Sequence, residues 1–358
     1  MRVLQLIDSL HTGGAERMAV NFANSLTSHI NASYICVTRE EGLLKQSLLP
    51  EAHYLFLSKN TTIDVKAIKK LNSFIKRHDI DIVHAHSTSF FLGTLMKMLN
   101  PKLILIWHDH HGNRAETSTF NSFVLKMCSV FFSCIIAVND KLKKWSQDNL
   151  LVKQVYVLAN FPQTSTTLKL TTLKGEVGKR IVCLANLRPD KDHINLLQAF
   201  SIVKTKHPDW TLHLVGKDYN DAYSNDIKDF IKENNLEKQV FIYGSCADIS
   251  NILSQSTIGV LASKSEGLPV ALLEYGVAGL PVVATNVGDC HKVISNADEG
   301  LLVEPQNHNV LAEALVACIN DLDLGARVAN NLQTKVLASF SESTVMKSLI
   351  SIYRTHKK

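Results

Sequence analysis

The sequence has few cysteines, and their spacing matches neither a disulfide framework nor a zinc site. Its seven Cys residues are scattered over 358 residues, odd in number, and none belongs to a CxxC pair. Thiols distributed in this way are typical of reduced, buried side chains in a cytosolic protein. The chain also lacks a long uninterrupted apolar run, because its most apolar window, 120–138, is broken by an asparagine, a lysine and several serines. We therefore expect no membrane span.

Two common nucleotide-binding motifs are also missing. The chain has no GxGxxG fingerprint and no GxxxxGK[ST] loop, so a dinucleotide-binding enzyme and a P-loop NTPase have little support. It shows no basic–aromatic cluster and no helix-turn-helix pattern. We therefore expect no nucleic-acid partner.

Positive charge is concentrated in the first half of the chain. The formal net charge is +5, but residues 1–165 contain 18 Lys and Arg against 12 Asp and Glu, which gives +6. The remainder contains 20 against 21, which gives −1. A basic N-terminal half suits an anionic partner such as a phosphate-bearing lipid surface. A solvated surface with a chance imbalance explains the same numbers equally well.

Predicted strands and helices alternate in two separate series. The first series runs from a buried strand at 3–9 to a strand at 154–158, and the second starts with a strand at 180–185. Alternation of this kind predicts an α/β fold, in which helices cover both faces of a parallel sheet. In such sheets, ligands bind beyond the carboxyl ends of the strands.

The interval between the two series marks a domain boundary. Residues 162–179 are rich in Thr, Ser and Lys and have no clear apolar period, as in an interdomain linker. We therefore predict an N-terminal domain at 1–161, a C-terminal domain at 180–340, and a last helical segment at 341–358 that no strand follows.

The stretch 263–285 combines a buried helix with two carboxylates. Pro269 fits the first helical position, and the residues after it are apolar on most sides. Glu266 precedes this helix, and Glu274 lies in its second turn. A charge on a buried helix is costly unless it is paired or hydrogen-bonded. We therefore expect both carboxylates to face a polar ligand at the positive end of the helix.

Two further loops carry residues that suit an anion. Arg188 and Lys191, in NLRPDKDH, lie between a buried strand and a helix and are suited to a diphosphate. The alternative is an exposed loop with solvated charges. The GGAER turn at 13–17 lets the backbone approach an anion at a helix N-terminus. For that turn alone, a plain structural role is the favoured interpretation.

Histidines cluster at two predicted strand ends. His84-Ala85-His86 and the HDHH run at 108–111 resemble H-x-H pairs that bind zinc or other divalent metals. A metal-dependent hydrolase that uses His84, His86, His108 and His110 is therefore an alternative function. It lacks a clear later ligand and leaves the second domain unexplained. Otherwise His84 and His86 have either a structural role or a binding role.

The order of these motifs resembles that of the family 4 retaining glycosyltransferases. Glu266 and Glu274 have the E-x7-E spacing of that family. GGAER near the start, a histidine after an N-domain strand, the Arg/Lys loop and a VGxxxxVI segment at 287–294 occur in the same order. The resemblance covers essentially the whole chain. It implies the GT-B architecture, in which two Rossmann-like domains face each other across a cleft and the last helix packs back on the N-terminal domain.

The resemblance implies a role for each matching residue. Glu274 would bind the ribose hydroxyls of a nucleotide-sugar donor, Glu266 would contact the donor sugar, and His108 would occupy the active-site histidine position. The other implied donor-binding positions act through cationic side chains or backbone N–H groups: Gly14, Arg188, Lys191, Gly267, Leu268, Val270 and Ala271. The implied reaction is front-side transfer with retention, and no metal or other cofactor is required.

Several positions depart from the family pattern. Asn186 stands where an Arg is usual, and Arg188 is placed to substitute for it because two residues along an extended segment return to the same side. Asp289 and Lys292 replace the second Gly and the Glu of the usual VGG-x-x-E. Pro269 removes one backbone donor. These departures bear on donor choice more than on reaction type.

The expected function is transfer of a hexose or N-acetylhexosamine in cell-surface polysaccharide or lipopolysaccharide biosynthesis. UDP-sugar is the default donor, GDP-sugar is an alternative, and the acceptor is expected to be a saccharide or a lipid-linked saccharide. The N-terminal domain would bind the acceptor and the C-terminal domain the donor. We expect a cytoplasmic protein that rests on the inner face of the membrane. A GT-B sugar-nucleotide epimerase is a further alternative.

Overall fold

The chain folds into two α/β domains. The computed structural model describes residues 1–110, 119–162 and 169–357. One compact unit comprises Met1–Asn160 together with Glu342–Lys358, and the other comprises Phe161–Ser341. Each unit is built on one parallel sheet with helices packed against it, so the predicted fold class is confirmed.

The first domain has a seven-stranded parallel sheet in the order β3-β2-β1-β4-β5-β6-β7. Its strands are β1 (Arg2–Ser9), β2 (Ala32–Glu40), β3 (Ala52–Phe56), β4 (Ile82–His86), β5 (Ile104–Asp109), β6 (Cys134–Ala137) and β7 (Val155–Val157). The α-helices that this domain contains before residue 160 are α1 (Gly14–Leu26), α2 (Val65–Arg77), α3 (Phe90–Leu99), α4 (Thr119–Cys128) and α5 (Asp140–Asn149). The central strands are buried on both faces, as a sheet covered by helices requires, although Gln5, His84, His86 and His108 make part of β1, β4 and β5 polar.

The second domain has a six-stranded parallel sheet in the order β10-β9-β8-β11-β12-β13. Its strands are β8 (Arg180–Leu184), β9 (Thr211–Val215), β10 (Val240–Gly244), β11 (Ile258–Leu261), β12 (Val282–Thr285) and β13 (Leu301–Val303). Its helices are α6 (His193–Lys206), α7 (Ala222–Glu233), α8 (Ile249–Ser254), α9 (Val270–Val277), α10 (Cys290–Val293), α11 (His308–Asn320) and α12 (Leu322–Ser339).

The last helix, α13 (Glu342–His356), belongs to the first domain although it follows the second in sequence. Its buried face includes Leu349 and Tyr353, and it contacts α1. The hydroxyl of Tyr353 is hydrogen-bonded to Nδ1 of His84 at 2.6 Å. The predicted return of the last helix to the N-terminal domain is therefore confirmed.

Part of the segment predicted as a linker is fixed to the second domain. The backbone N–H groups of Leu170 and Thr171 donate to one carboxylate oxygen of Asp248 at 2.7 Å each. The N–H of Leu173 donates to Gln255 at 3.0 Å, and the Leu173 side chain is buried. The composition of the segment hides this attachment because hydrogen bonds to side chains, rather than an apolar face, hold the chain in place. In the described part of the chain, no helix is both long enough and apolar enough to cross a bilayer.

Candidate active site

The helix predicted at the centre of the site is α9, which is fixed to its sheet by Tyr275. This side chain is fully buried, and its hydroxyl accepts a hydrogen bond from the N–H of Leu184 at 2.7 Å. A Cβ on Gly259 would lie 2.7 Å from the Tyr275 ring, so a glycine is required there for the ring to fit. The buried helix predicted from the sequence is thus anchored at the carboxyl ends of β8 and β11.

Lys191 and Glu266 form an ion pair in the loops after β8 and β11. Nζ of Lys191 lies 2.7 Å from Oε1 of Glu266, and both side chains are largely buried. The hydroxyl of Ser263 also donates to Oε1 of Glu266 at 2.7 Å, and Asp190 lies 3.4 Å from Nζ of Lys191. Burial alone would lower the pKa of Lys191, but the carboxylates of Glu266 and Asp190 hold that pKa above its usual value. The structure therefore keeps a full positive charge beside a carboxylate at the edge of the sheet.

The backbone around α9 leaves little room for change. Gly288 has φ +55°, and a Cβ at this position would lie 2.1 Å from the carbonyl oxygen of Glu266. The N–H of Asp289 donates to the carbonyl of Gly267 at 2.9 Å, which ties the loop after β12 to the loop before α9. The implied N–H donors at Gly267, Leu268, Val270 and Ala271 lie in this fixed turn and in the first residues of the helix. The first-turn N–H groups of a helix have no intrahelical partners and favour an anion.

Glu274 lies further along α9 and is half-buried. Asp289 and Lys292, which depart from the family pattern, form an ion pair with each other at 3.0 Å. Two unusual charges in one turn therefore compensate each other locally.

Arg188 and Asn186 have different surroundings from Lys191. The Arg188 side chain is 56% exposed, and its Nε lies 3.1 Å from Asp190. The amide oxygen of Asn186 accepts from the N–H of Lys217 at 2.8 Å, so Asn186 closes the loop after β8 against the end of β9. In this structure Lys191 contacts Glu266, whereas Arg188 pairs with Asp190 on the more exposed side of the same loop.

The GGAER turn leads into α1, and the side chain of Glu16 fills part of this turn. A Cβ on Gly13 would lie 2.3 Å from a carboxylate oxygen of Glu16, while Gly14 is exposed. Ser9 donates to Glu16 at 3.4 Å, and burial raises the pKa of Glu16. The absence of a side chain at Gly13 makes room for the Glu16 carboxylate.

Four histidines of the first domain stack at the carboxyl ends of β4 and β5. His84, His86 and His108 are fully buried, and His110, immediately after β5, is half-buried. The ring of His84 is 5.2 Å from that of His108, with only 5° between their planes. The ring of His110 is 4.0 Å from that of His108. Both ring nitrogens of His108 lack a hydrogen-bond partner among the described residues. His111, also predicted in this cluster, lies outside the described residues.

The ring orientations do not favour a metal ion. One nitrogen from each of His84, His86 and His108 lies within 4.8 Å of the others, so the three are close enough for a metal site to be considered. The imidazole lone pairs lie in the ring planes, and nearly parallel stacked rings direct them along parallel planes rather than towards one point. Ligand nitrogens of tetrahedral zinc are only about 3.3 Å apart, because each Zn–N bond is about 2.0–2.1 Å. Both nitrogens of His86 are already hydrogen-bonded, to Gln5 and to His110. The hydrolase alternative therefore has little structural support.

Two family models match the chain, and their matches meet at residue 165, close to the boundary between the two compact units at residues 160 and 161. Residues 12–165 match the model described as Glycosyltransferase Family 4, and residues 165–335 match the model described as Glycosyl transferases group 1. The two matches follow one another along the chain and together span residues 12–335.

Relatives and solved structures agree with these matches. A UDP-Gal:alpha-D-GlcNAc-diphosphoundecaprenol alpha-1,3-galactosyltransferase from Escherichia coli is 26% identical over 336 residues, which cover 85% of this chain and 84% of the relative. An N-acetyl-alpha-D-glucosaminyl L-malate synthase from Bacillus anthracis is 22% identical, covering 81% and 78%. The crystal structure of Anabaena HepE in complex with UDP-glucose has a TM-score of 0.82 and 20% identity, covering 99% of this chain and 100% of HepE. The two-domain fold is therefore that of known glycosyltransferases.

The histidine cluster predicts a pH-dependent stability. Burial lowers the pKa of His84 to about 3 and the pKa values of His86 and His108 well below their usual value of 6.5. As the pH falls below 6.5, the unfolded chain binds protons that the folded chain does not, so the free energy of unfolding decreases. Each such histidine contributes up to about 1.4 kcal/mol per pH unit. Urea unfolding between about pH 7.5 and pH 5, followed by tryptophan fluorescence, measures this slope.

His84→Gln provides the specific comparison. Because glutamine does not titrate, we expect a shallower pH dependence in this variant than in the parent protein. His29→Asn is the matched control, since His29 is exposed on the same domain, and it should leave the slope unchanged. Equal slopes in the parent and in His84→Gln would contradict the interpretation.

Proposed function

The chain belongs to the family 4 glycosyltransferases, and on that premise we propose that it transfers a hexose or N-acetylhexosamine, with retention, from a UDP-sugar to a saccharide or lipid-linked saccharide of a surface glycan. The observation that carries this proposal is the Lys191–Glu266 pair beside the N-terminus of α9. It places a fixed cation, a carboxylate and a helix N-terminus around one point, as a negatively charged diphosphate linked to a polyhydroxylated sugar requires.

Each part of the pair has a separate task in this proposal. Lys191 holds the diphosphate, while Glu266, already oriented by Ser263, accepts hydrogen bonds from the sugar hydroxyls. Glu274, further along α9, accepts from the ribose hydroxyls. Arg188 supports the diphosphate from the exposed side of its loop.

The reaction follows from the charge that develops. The acceptor hydroxyl oxygen forms a bond to the anomeric carbon on the face from which the bond to the phosphate oxygen breaks. The departing nucleoside diphosphate takes the electron pair of that bond, and its oxygen receives the acceptor proton. Negative charge on the leaving group is greatest after bond cleavage begins, so Lys191 and the α9 N–H groups stabilise the transition state more than the ground state. Since these groups neutralise the diphosphate, we expect no metal requirement.

The nucleotide is proposed from the relatives. The Escherichia coli relative is named for UDP-Gal, and the similar Anabaena structure contains UDP-glucose. A thermal-shift comparison of UDP, GDP and ADP checks this choice, because a ligand that binds the folded state raises the midpoint of unfolding. We expect the largest rise with UDP, and a larger rise with GDP would instead indicate a GDP-sugar donor.

Lys191→Ala and Glu274→Ala should each lower kcat/KM for sugar transfer by about 10²-fold or more, because each removes a preorganised partner of the donor. The assay is release of UDP in the presence of acceptor, with circular dichroism as the check on folding. Lys206→Ala is the matched control, because Lys206 is exposed at the end of α6 in the same domain. Full activity in either test variant would contradict the assignment of the site.

We also propose that the first domain docks on an anionic bilayer through an apolar patch formed by Met98, Leu99, Phe123, Met127, Val130 and Leu151. These side chains are 51–62% exposed. Phe123, Met127 and Val130 follow one another at helical spacing on α4 and the turn after it, and α3, which carries Met98 and Leu99, packs against α4. The N–H of Leu151 donates to Ser129 at 2.9 Å, which places Leu151 beside Val130.

Charge around the apolar patch favours an anionic lipid surface. Residues 90–102 and 119–133 contain no Asp or Glu, and Lys102 and Lys126 are exposed within them. Each lysine near an anionic leaflet contributes about 1 kcal/mol to binding. A lipid-linked acceptor would be presented at the same surface, which is why we propose the inner face of the cytoplasmic membrane.

Phe123→Ser combined with Met127→Ser should reduce binding to vesicles of phosphatidylglycerol and phosphatidylcholine. Co-sedimentation measures this binding, with phosphatidylcholine vesicles alone as the uncharged comparison. Val177→Ser is the control, because Val177 is an exposed apolar residue of the second domain. Vesicle binding that the double variant leaves unchanged, or a dimer that it dissociates without any lipid binding, would overturn the proposal.

A further inference from the structure

A continuous set of hydrogen bonds connects the last helix with the histidine cluster. Gln5, on β1, donates from Nε2 to the hydroxyl of Tyr353 at 3.4 Å. The Oε1 of Gln5 lies 2.8 Å from Nε2 of His86, and Nδ1 of His86 lies 2.9 Å from Nε2 of His110. The Tyr353 hydroxyl lies 2.6 Å from Nδ1 of His84.

The donor and acceptor roles in this network determine one another. The Gln5 amide donates to Tyr353, so its oxygen faces His86 and only accepts; Nε2 of His86 must therefore carry the proton. Burial lowers the pKa of His86 well below its usual value, so its ring is neutral and Nδ1 is an acceptor. It follows that His110 donates from Nε2. The Tyr353 hydroxyl proton points to His84, whose own ring proton is then on Nε2.

Exposure separates His110 from the other three rings. His84, His86 and His108 have no solvent-exposed surface, whereas His110 is half-buried and follows the last residue of β5. Its ring is held by stacking on His108 at 4.0 Å and on His86 at 5.2 Å, as well as by its hydrogen bond to His86. Stacking and the hydrogen bond at Nε2 fix the tautomer and the rotation of this ring before any ligand binds.

We propose that His110 is the histidine of this cluster that contacts the substrate, and that Gln5 and Tyr353 are positioning residues that fix its orientation through His86. This assignment rests on the proposed transferase function. His108, which the family resemblance indicates, then serves as the buried surface on which His110 stacks. The return of α13 to the first domain gains a functional consequence, since α13 supplies Tyr353.

Imidazole ¹⁵N NMR of the full-length protein tests the network independently of activity. We expect His86 to be the Nε2–H tautomer in the parent protein and a mixture of tautomers in Gln5→Met. An Nδ1–H tautomer of His86 in the parent would overturn the proposal, because it requires the Gln5 amide to be reversed. If no donor sugar supports transfer, the proposed function fails while this measurement still decides the network.

Kinetics test the link to the reaction. His110→Ala should lower kcat by about 10²-fold or more, as expected for a histidine that contacts reacting groups. Gln5→Met and Tyr353→Phe should lower kcat several-fold at temperatures well below their unfolding midpoints, while leaving the donor KM nearly unchanged. Tyr156→Phe is the matched control, because it removes a hydroxyl bonded to Gln154 in the same domain. Unchanged kcat in His110→Ala, or a loss in Gln5→Met that follows its unfolding midpoint, would overturn the assignment.

Discussion

The ion pair between Lys191 and Glu266 is the interaction on which this account depends. A buried ammonium is unfavourable by itself, and here two carboxylates keep it charged. A structure that only needed stability would fill this position with an apolar side chain at little or no cost. The pair lies at the edge of a parallel sheet, next to a helix N-terminus, and in the proposed function Lys191 exchanges Glu266 for the diphosphate of the donor.

The parallel sheet explains how distant residues reach this point. Lys191 and Glu266 follow β8 and β11, which are adjacent in the sheet although they are far apart in sequence. Gly288 lets the loop after β12 close over the carbonyl of Glu266. Strand order therefore brings the three loops together, and packing of backbone against backbone limits their movement. The first domain uses the same principle to align His86 of β4 with His108 of β5.

Much of the fold follows from the sequence because its signals are local. The strand and helix alternation predicts both sheets, and the apolar residues around Glu274 predict a buried α9. In contrast, the pattern does not predict α12, since Gly325 and the pair Asn330–Asn331 interrupt its helical period. The attachment of residues 170–173 to Asp248 is also hidden, because a carboxylate that binds backbone N–H groups leaves no periodic signal.

The candidate site was predictable in type but not in detail. Spacing between Glu266 and Glu274 indicates a family, yet nothing in the sequence shows that Glu266 pairs with Lys191 while Arg188 pairs with Asp190. Ring stacking and relative burial within the HDHH run likewise depend on tertiary packing. The participation of Gln5 and Tyr353 could not be foreseen, because the two lie at opposite ends of the chain and meet only when α13 packs on the first domain.

Calorimetric titration with UDP and with uridine tests the central claim most directly, because the two ligands differ only in the diphosphate. If Lys191 exchanges Glu266 for the diphosphate, Lys191→Met should weaken UDP binding by about tenfold or more, the loss expected for a charge-assisted hydrogen bond. The same variant should leave uridine binding unchanged. Equal weakening of both ligands, or of neither, would contradict the account.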